Sequence, residues 1–349
     1  MPFINDVIAS NAKVIDEDKA KSATGRVSRF RFDPEQAIEV LKSRIIGQAD
    51  MHGAIADMLH VVKADFGSGD RPLAVFLFVG STGVGKTETV RVLAEVILGA
   101  ADQMCRIDMN TLAQEHYTAA LTGAPPGYVG SKENHSLFDF EKIEGSYSRP
   151  GIVLFDEIEK SSKEVARALL NVLDSGRLEL SAGTKRLNFN NCLIFMTSNE
   201  GARELDAYRR KFERGWRSWF GRNPSKEREK SILNGALRRQ FDLEFINRID
   251  RIVVFEELGV RVLSDILAVE MSMLNKRLAR HGVAVRLDES ARSFLIDGHD
   301  PRYGARHLRR RIRAHLEPEL ARAFNTERGC HMFLASSRAG SLVVSAESA

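Results

Sequence analysis

A glycine-rich stretch in the first third of the chain has the residue types and spacing of a phosphate-binding loop. It matches the pattern G-x-x-x-x-G-K-[ST] at every fixed position and consists of Gly80, Ser81, Thr82, Gly83, Val84, Gly85, Lys86 and Thr87. An apolar run precedes the loop and a helical pattern follows it, so backbone N–H groups and a helix start predict an anion cradle. In such a loop the lysine, Lys86, reaches the β- and γ-phosphates of ATP and the threonine, Thr87, holds Mg²⁺.

Two further apolar runs end in polar residues of the types that hydrolyse phosphate bonds. The first run, Ile152–Phe155, is followed by Asp156 and Glu157. Asp156 is placed to bind Mg²⁺, and Glu157 to polarise a water for attack on the γ-phosphate. The alternative is a strand end followed by an exposed turn. The second run, Cys192–Thr197, leads to Ser198 and Asn199. Asn199 positions the attacking water if this strand lies beside the phosphate loop; otherwise both residues cap the next element.

Five short apolar runs, separated by helical patterns, must position these residues. They are Leu73–Val79, Met104–Asp108, Ile152–Phe155, Cys192–Thr197 and Ile252–Phe255. Runs this apolar, alternating with helices, predict parallel strands that are buried on both faces. The expected fold is a three-layer α/β domain with a five-stranded parallel sheet, and the site lies at the carboxyl ends of its strands.

The pattern changes after Phe255 to helices mixed with three short strand patterns, including an Arg-rich helical stretch at 302–325. This mixture predicts a second, smaller, mostly helical α+β domain. The expected organisation is a polar N-terminal extension at 1–40, a large domain at 41–256 and a small C-terminal domain at 257–349.

Composition excludes several classes of protein. The formal net charge of +4 over 349 residues is small, and acidic residues are interleaved with the basic ones, so nucleic acid is not indicated as a partner. The three cysteines, Cys105, Cys192 and Cys330, form no C-x-x-C pair, and the first two lie in apolar runs as small core residues. No signal sequence or apolar stretch of membrane-spanning length is present, which favours a reducing, cytoplasmic location.

Seven segments together carry a resemblance to a known family. In order they are Ile45–Gln48, Gly80–Thr87, Gly123–Gly130, Phe155–Lys160, Met196–Asn199, Phe245–Asp250 and Tyr303–Arg306. With them the chain resembles AAA+ ATPases of the Clp unfoldase family, specifically the second ATPase module of ClpA, ClpB and ClpC. The resemblance covers residues 45 to about 325. It implies a Mg²⁺-dependent ATP hydrolase that assembles into a ring, with six subunits expected.

The resemblance also implies roles for residues outside the phosphate loop. Arg248 corresponds to the arginine finger that reaches a neighbouring subunit's nucleotide; taken alone, it reads as an ion-pair partner of Asp250. Arg306 corresponds to the second sensor, which touches the γ-phosphate; taken alone, it is one more arginine on a basic helix face. Ile45 and Ile46 resemble residues that hold the adenine, and they are equally reasonable as core.

Tyr128 and Val129 bear on what the ATPase works on. Tyr128 lies in a polar, glycine- and proline-rich segment, where the plain interpretation is a tyrosine packed on a turn. In the family this aromatic residue projects into the ring's central channel and grips substrate polypeptide, with Val129 in support. An aromatic side chain grips many sequences because its contacts need only apolar area and shape.

The chain departs from the family in ways that leave its partners open. It has one ATPase module where ClpA, ClpB and ClpC have two, and we expect neither their N-terminal domain nor the zinc domain of ClpX. The Ile-Gly-Phe or Ile-Gly-Leu tripeptide that docks on the ClpP peptidase is not found in Arg203–Gln240. Instead Trp216, Trp219 and Phe220 lie in a charged stretch, where they either pack on the protein body or dock an adaptor or other partner.

The expected function is therefore ATP-driven threading of polypeptide through a ring. Two alternatives stay open within protein-directed functions: an ATP-gated scaffold or adaptor switch that threads nothing, and the ATPase component of a Clp-type protease. A nucleic-acid remodelling ATPase is suggested only by the arginine cluster Arg309–Arg313, and Tyr128 argues against it.

Overall fold

The computed structural model describes residues 28–112, 138–179, 186–213, 225–300, 303–327 and 329–347. By contacts the chain divides into two compact units, which are described separately. The first comprises Met1–Lys42, Ala49–Gly80 and Lys86–Phe255. The second comprises Ser43–Gln48, Ser81–Gly85 and Glu256–Ala349.

A five-stranded parallel sheet is the centre of the first unit. Its strands are β1 (Ala74–Val79), β2 (Cys105–Asp108), β3 (Gly151–Asp156), β6 (Cys192–Ser198) and β7 (Arg251–Val254). Their spatial order is β2-β3-β6-β1-β7, and each neighbouring pair is parallel. Two short strands, β4 (Arg177–Glu179) and β5 (Arg186–Asn188), form a separate antiparallel pair. The order places β1 directly beside β6, so the phosphate loop and Asn199 follow neighbouring strands.

The described residues of the first unit and its edge form nine α-helices, of which two precede β1 and the others follow it. They are α1 (Pro34–Arg44), α2 (Ala49–Ala64), α3 (Lys86–Leu98), α4 (Met109–Leu112), α5 (Phe140–Glu144), α6 (Lys163–Ser175), α7 (Ala202–Glu213), α8 (Lys226–Gln240) and α9 (Leu243–Asn247). Local sequence explains their ends. Helix α6 begins after Ser162, whose hydroxyl accepts the Val165 N–H at 3.3 Å, and ends at Gly176 with a φ of +64°.

Side chains of the sheet alternate between two buried faces. On one face Val75 and Leu77 of β1 join a core that includes residues of α6 and α8. On the other face the rings of Phe76 and Phe78 lie 6.0 and 5.5 Å from that of Phe195 in β6. All six residues of β1 are buried, which is why this strand reads as a continuous apolar run rather than an alternating one.

The chain just before α1 is anchored to α2. Phe30 and Phe32 are buried, and the ammonium group of Lys63 donates to both of their carbonyl oxygens, at 2.5 and 2.9 Å. Arg29 forms an ion pair with Asp65 at 3.0 Å. The segment from residue 28 onward is therefore part of the first unit's packing, although its sequence is polar and mixed.

The second unit combines helices with a small mixed sheet. Its elements after residue 256 are α10 (Val260–Leu278), β8 (Ala284–Leu287), α11 (Glu289–Asp297), α12 (Gly304–Arg311), α13 (Glu317–Thr326), β9 (Met332–Arg338) and β10 (Ser341–Ala346). A π-helical turn, Ile312–Leu316, joins α12 to α13. Strand β9 pairs parallel with β8 and antiparallel with β10. The unit has its own apolar core, which includes Leu267, Leu308 and Phe333.

The predicted fold class is confirmed. The parallel five-stranded sheet is present, and all five apolar runs form its strands, with no end shifted by more than one residue. Cys105 and Cys192 lie in the first unit's core as predicted, and burial raises the pKa of both thiols. Among the described residues no helix has the length and apolarity needed to cross a lipid bilayer.

Candidate functional site

The phosphate loop connects β1 to α3 in the way that its sequence predicts. Gly83 and Gly85 have φ angles of +83° and +111°, which side chains with a Cβ rarely adopt. Lys86 is the first residue of α3 and only 8% exposed. Its ammonium group donates to the carbonyl oxygen of Gly80 and, at 3.0 Å, to Oδ1 of Asn199. Both of these acceptors are neutral, and an ammonium group makes stronger hydrogen bonds to charged phosphate oxygens.

Asp156 is the most highly connected carboxylate of the site. It ends β3, is 6% exposed, and its Oδ1 accepts hydrogen bonds from Thr87 at 3.2 Å and Thr197 at 2.5 Å. Its Oδ2 accepts from Nε and Nη2 of Arg106, at 3.1 and 2.6 Å. The structure therefore brings Thr87 and Asp156 together, as sequence analysis predicts.

The pair Thr87 and Asp156 fits a magnesium ion. Mg²⁺ prefers oxygen ligands and is usually held by one or two protein oxygens together with waters and phosphate oxygens. A hydroxyl and a carboxylate 3.2 Å apart at the start of α3 provide such oxygens. Both are hard oxygen donors, which suit Mg²⁺ better than the nitrogen and sulfur ligands that zinc prefers.

Glu157 has an unusual backbone conformation immediately after β3. Its φ of +58° lies in the left-handed region, which costs a non-glycine residue about 1–2 kcal/mol. The Glu157 N–H donates to Oγ1 of Thr197 at 2.9 Å, which helps to hold this conformation. Among the residues that the structure describes, no hydrogen-bond partner for the Glu157 carboxylate is present.

Asn199 lies beside the phosphate loop, as sequence analysis requires for a role in positioning water. Its backbone N–H and its Nδ2 both donate to Oε1 of Glu159, at 3.1 and 3.0 Å, while its Oδ1 accepts from Lys86. The hydroxyl of Ser198 accepts the N–H of Glu200 at 3.0 Å, a bond within the turn that precedes α7. The amide of Asn199 is thus free of the local turn.

The middle of the phosphate loop belongs to the second unit, where a buried glutamine holds it. The amide of Gln48 donates to the carbonyl oxygens of Val84 and Glu256, at 3.4 and 3.0 Å, and accepts the Glu256 N–H at 2.9 Å. Of the two predicted adenine-contacting residues, Ile45 is buried and Ile46 packs partly against the second unit's core. Both therefore have the core role that the sequence left open, which does not conflict with an additional role at an adenine.

Two glycines of the second unit touch where helix α12 begins. The Ala305 N–H donates to the carbonyl oxygen of Gly83 at 3.0 Å. A Cβ on Gly304 would lie 2.6 Å from the carbonyl carbon and oxygen of Gly83, and the φ of Gly304 is +53°. Arg306 lies on the exposed side of the same helix, one residue after the contact. The middle of the phosphate loop is thus packed against the first turn of α12, the helix that contains Arg306.

We expect Gly304→Ala to weaken nucleotide binding about tenfold or more, because the added Cβ must push the backbone of Gly83 away. The matched control is Gly340→Ala, which adds a Cβ at a φ of +79° where no atom lies within 4 Å. Equilibrium binding of a fluorescent ADP analogue checks this. Unchanged affinity in Gly304→Ala, or equal losses in both variants, contradicts the prediction.

The alternative prediction of an ion pair between Arg248 and Asp250 is wrong. Asp250 is used elsewhere: its carboxylate accepts from Arg71 at 2.7 Å and from the Val75 N–H at 2.8 Å. Arg248 instead pairs with Asp174, at the end of α6, at 2.9 Å. The Arg248 side chain is 42% exposed, and no contact among the described residues joins it to Lys86 or Asp156 of the same chain.

Several predicted residues lie outside the described part of the chain. Tyr128 and Val129 of the expected channel segment are among them, as are Trp216, Trp219 and Phe220. Two aromatic residues that precede the three in the chain are described. In α7 the rings of Tyr208 and Phe212 lie 5.1 Å apart, centroid to centroid.

Four residues at the site have contacts that sequence analysis did not predict: Gln48, Arg106, Glu159 and Thr197. Gln48, Glu159 and Thr197 lie inside segments that carry the family resemblance. That resemblance was the one sequence signal that could have identified these three residues as part of the site. Arg106 lies on β2, and no residue pattern around it indicates that its guanidinium reaches a carboxylate 50 residues later.

Comparisons with known proteins agree with this geometry. Residues 71–252 match the family described as AAA domain (Cdc48 subfamily), and residues 258–329 match the C-terminal, D2-small domain of ClpB protein. A protein of Pseudomonas aeruginosa described as "ATP-dependent protease ATP-binding subunit-like protein AmiB" is 42% identical over 342 residues, covering 92% of each chain. The Bacillus subtilis protein described as "Negative regulator of genetic competence ClpC/MecB" is 40% identical over 305 residues, covering 84% of this chain but 36% of its own.

The fold likewise matches solved structures. The "S. cerevisiae Hsp104:casein complex, Extended Conformation" superposes with a TM-score of 0.76 and 27% identity, over 94% of this chain and 56% of that one. A phosphate loop, a strand-end carboxylate pair and a small C-terminal unit thus occur here in a chain whose matches to Clp proteins span both units. The chain belongs to the Clp family of AAA+ proteins and is an ATPase.

Proposed function

We propose that this protein hydrolyses ATP within a ring of subunits and uses the free energy to thread polypeptide through the ring's central channel. The observation that carries the proposal is the joining of Lys86 to Asn199 and of Thr87 to Asp156 around one phosphate loop. These two contacts support the proposal because they gather around one loop the residue types that phosphoryl transfer uses to hold phosphate, Mg²⁺ and the attacking water.

The chain's own residues divide the work of hydrolysis among themselves. Lys86 leaves the oxygens of Gly80 and Asn199 for the β- and γ-phosphates, while Asn199 orients the attacking water. Glu157 accepts the proton of that water, because its carboxylate lies one residue after Asp156 at the end of β3. Thr87 and Asp156 hold Mg²⁺, which, when bound, neutralises charge on the phosphates. Ile45 and Ile46 contact the adenine, and Arg306 senses the γ-phosphate.

A ring follows from the role that the resemblance implies for Arg248. An arginine finger that acts on a neighbour's nucleotide must be exposed in the single chain, and Arg248 is 42% exposed. Its ion pair with Asp174 is exposed as well, and exposed pairs contribute only about 0–1 kcal/mol. The guanidinium is therefore free to exchange Asp174 for a phosphate when subunits assemble, with six subunits per ring proposed.

Polypeptide is the proposed substrate because the likeness to the Hsp104:casein complex covers 94% of this chain. In this proposal Tyr128 and Val129 line the channel and make apolar contacts with an extended chain of any sequence. An exposed ring of such aromatic residues binds unfolded polypeptide more readily than folded proteins, because it needs reachable apolar side chains.

We expect Tyr128→Ala to bind fluorescein-labelled casein at least about tenfold more weakly than the wild type in the presence of ATPγS, since the variant removes an aromatic contact. Its basal ATPase should remain. Phe66→Ala is the matched control, because Phe66 is an aromatic residue that is 83% exposed elsewhere in the first unit. Fluorescence anisotropy measures the binding. Equal casein affinity for wild type and Tyr128→Ala excludes the channel role of Tyr128.

A second candidate is the ATPase component of a Clp-type protease. The descriptions of the Pseudomonas aeruginosa relative and of a Rhodococcus erythropolis relative, 40% identical over 324 residues, both contain "ATP-dependent protease ATP-binding subunit-like". Adding a purified Clp-type peptidase to the ATPase and a tailed substrate separates the two functions. Degradation favours the protease component, and unfolding without degradation favours the threading ATPase working alone.

A further inference from the structure

Glu159 holds Asn199 by two hydrogen bonds to a single oxygen atom. Oε1 of Glu159 accepts the backbone N–H of Asn199 at 3.1 Å and its Nδ2 at 3.0 Å. On the other side of the amide, Oδ1 of Asn199 accepts from the ammonium group of Lys86 at 3.0 Å. The amide is therefore clamped between a carboxylate and an ammonium group.

The chemistry of the two neighbours fixes which way the amide faces. A carboxylate only accepts hydrogen bonds and an ammonium group only donates them. The reverse orientation would place the NH₂ group against Lys86 and the oxygen against Glu159, with unfavourable contacts on both sides. Asn199 must therefore present its oxygen, and not its NH₂ group, to the phosphate-loop side.

Glu159 is itself held in place. It lies in the short helical turn Ile158–Lys160, and its backbone carbonyl oxygen accepts from Nε2 of Gln240 at 2.8 Å. Its other carboxylate oxygen, Oε2, is buried and has no hydrogen-bond partner in the part of the chain that the structure describes. A buried acceptor without a partner is costly, so a carboxylate at this position is explained better by its bonds to Asn199 than by contact with solvent.

We propose that Glu159 is a positioning residue for ATP hydrolysis, which presents the Asn199 oxygen as the acceptor that orients the attacking water. This inference rests on the proposed role of Asn199. Once Lys86 has moved to the phosphates of ATP, Oδ1 of Asn199 has lost its donor and accepts a hydrogen bond from the water. Without Glu159 the amide is free to rotate and to present its NH₂ group to the water. That group donates a hydrogen bond to the water oxygen and so occupies the lone pair with which the water must attack the phosphate.

The test separates turnover from binding. We expect Glu159→Ala to lower kcat about 10–100-fold while the Kd of a fluorescent ATP analogue stays within about twofold. Glu159→Gln retains a carbonyl oxygen for Asn199 and should lie within about threefold of the wild-type kcat. Glu164→Gln, at an exposed glutamate early in α6, is the matched control for removal of a negative charge.

A paired substitution tests the contact itself and does not depend on Glu159→Ala folding. Asn199→Asp places a second carboxylate against Glu159, and like-charge repulsion should abolish hydrolysis. Adding Glu159→Gln supplies an NH₂ donor to the new carboxylate and leaves its second oxygen facing the water. The double variant should regain about tenfold or more in kcat over Asn199→Asp alone.

Three results overturn the proposal: a wild-type kcat in Glu159→Ala, equal losses of kcat and nucleotide affinity in that variant, or no recovery in the double variant. The ATPase rate of Glu157→Gln distinguishes failure of this inference from failure of the proposed function. If Glu157→Gln hydrolyses ATP like the wild type, the site assignment itself is wrong; if Glu157→Gln is inactive and Glu159→Ala is not, only the positioning role is lost.

Discussion

Glu157→Gln should bind ATP as tightly as the wild type and hydrolyse it about 10²–10⁴-fold more slowly, the usual contribution of a general base. The amide has the size of the carboxylate but cannot accept a proton from water at neutral pH. The left-handed backbone at this position, with a φ of +58°, is equally strained for both side chains, so folding should not change. Steady-state phosphate release and binding of a fluorescent ATP analogue measure the two quantities.

The Glu157→Gln experiment needs a control that changes charge without touching the site. Glu204→Gln serves, because Glu204 is an exposed partner of Arg239 at 2.8 Å on the surface of the first unit. Rings trapped with ATP should accumulate in Glu157→Gln and dissociate more slowly than wild-type rings. Hydrolysis at the wild-type rate in Glu157→Gln would remove Glu157 from the catalytic site.

Arg248→Ala should lower kcat by about 10³-fold or more, the range typical of arginine fingers, with little loss of stability. The ion pair of Arg248 with Asp174 is exposed on both sides, so its removal costs at most about 1 kcal/mol. Arg251→Ala is the matched control, because it removes another exposed arginine, paired with Asp57 at 3.1 Å. ATPase rates and thermal unfolding of the three proteins decide between a catalytic and a structural role.

Mixing two inactive variants tests whether Arg248 acts on a neighbouring subunit. Arg248→Ala keeps Glu157, and Glu157→Gln keeps Arg248. In a randomly mixed ring about a quarter of the interfaces join an intact Glu157 to an intact Arg248 across two subunits. Activity should therefore appear on mixing. A mixture that stays as inactive as its components places Arg248 in its own subunit's site or outside catalysis.

Local patterns made the sheet and the phosphate loop predictable. Strands β1, β3 and β6 are buried on both faces, and only a nearly continuous apolar run satisfies that environment. The positive φ angles in the loop likewise favour the glycines that the sequence shows at 83 and 85. In both cases the physical requirement acts on residues that are adjacent in the chain.

Contacts between distant residues were not predictable from spacing. Arg248 pairs with Asp174 rather than the nearby Asp250, because the carboxylate of Asp250 is taken by Arg71 and the Val75 N–H. The same holds for the contacts of Asn199 with Glu159 and Lys86, which lie 40 and 113 positions away in the chain. Side-chain partners of this kind depend on where the elements meet, and a single sequence shows only which residue types are available.

The close approach of Gly83 and Gly304 is an intermediate case. Both glycines were visible in the sequence, and each lies in a segment that carries the family resemblance. A Cβ on Gly304 would collide with the Gly83 carbonyl group at 2.6 Å, and a Cβ on Gly83 would collide with the Tyr303 carbonyl oxygen. Both collisions are properties of the folded chain alone. The sequence therefore indicated where glycine matters without indicating why.

The most direct test of the central claim is ATP-driven unfolding of a fluorescent protein that carries an unstructured tail. Loss of fluorescence is followed for the wild type, with Glu157→Gln and Tyr128→Ala beside it. The account predicts that the wild type unfolds the tailed protein only with ATP. Glu157→Gln should neither hydrolyse ATP nor unfold the tailed protein, and Tyr128→Ala should hydrolyse ATP without unfolding it. A wild type that hydrolyses ATP and leaves the tailed protein folded, or a Tyr128→Ala variant that unfolds it at the wild-type rate, would contradict threading through the channel.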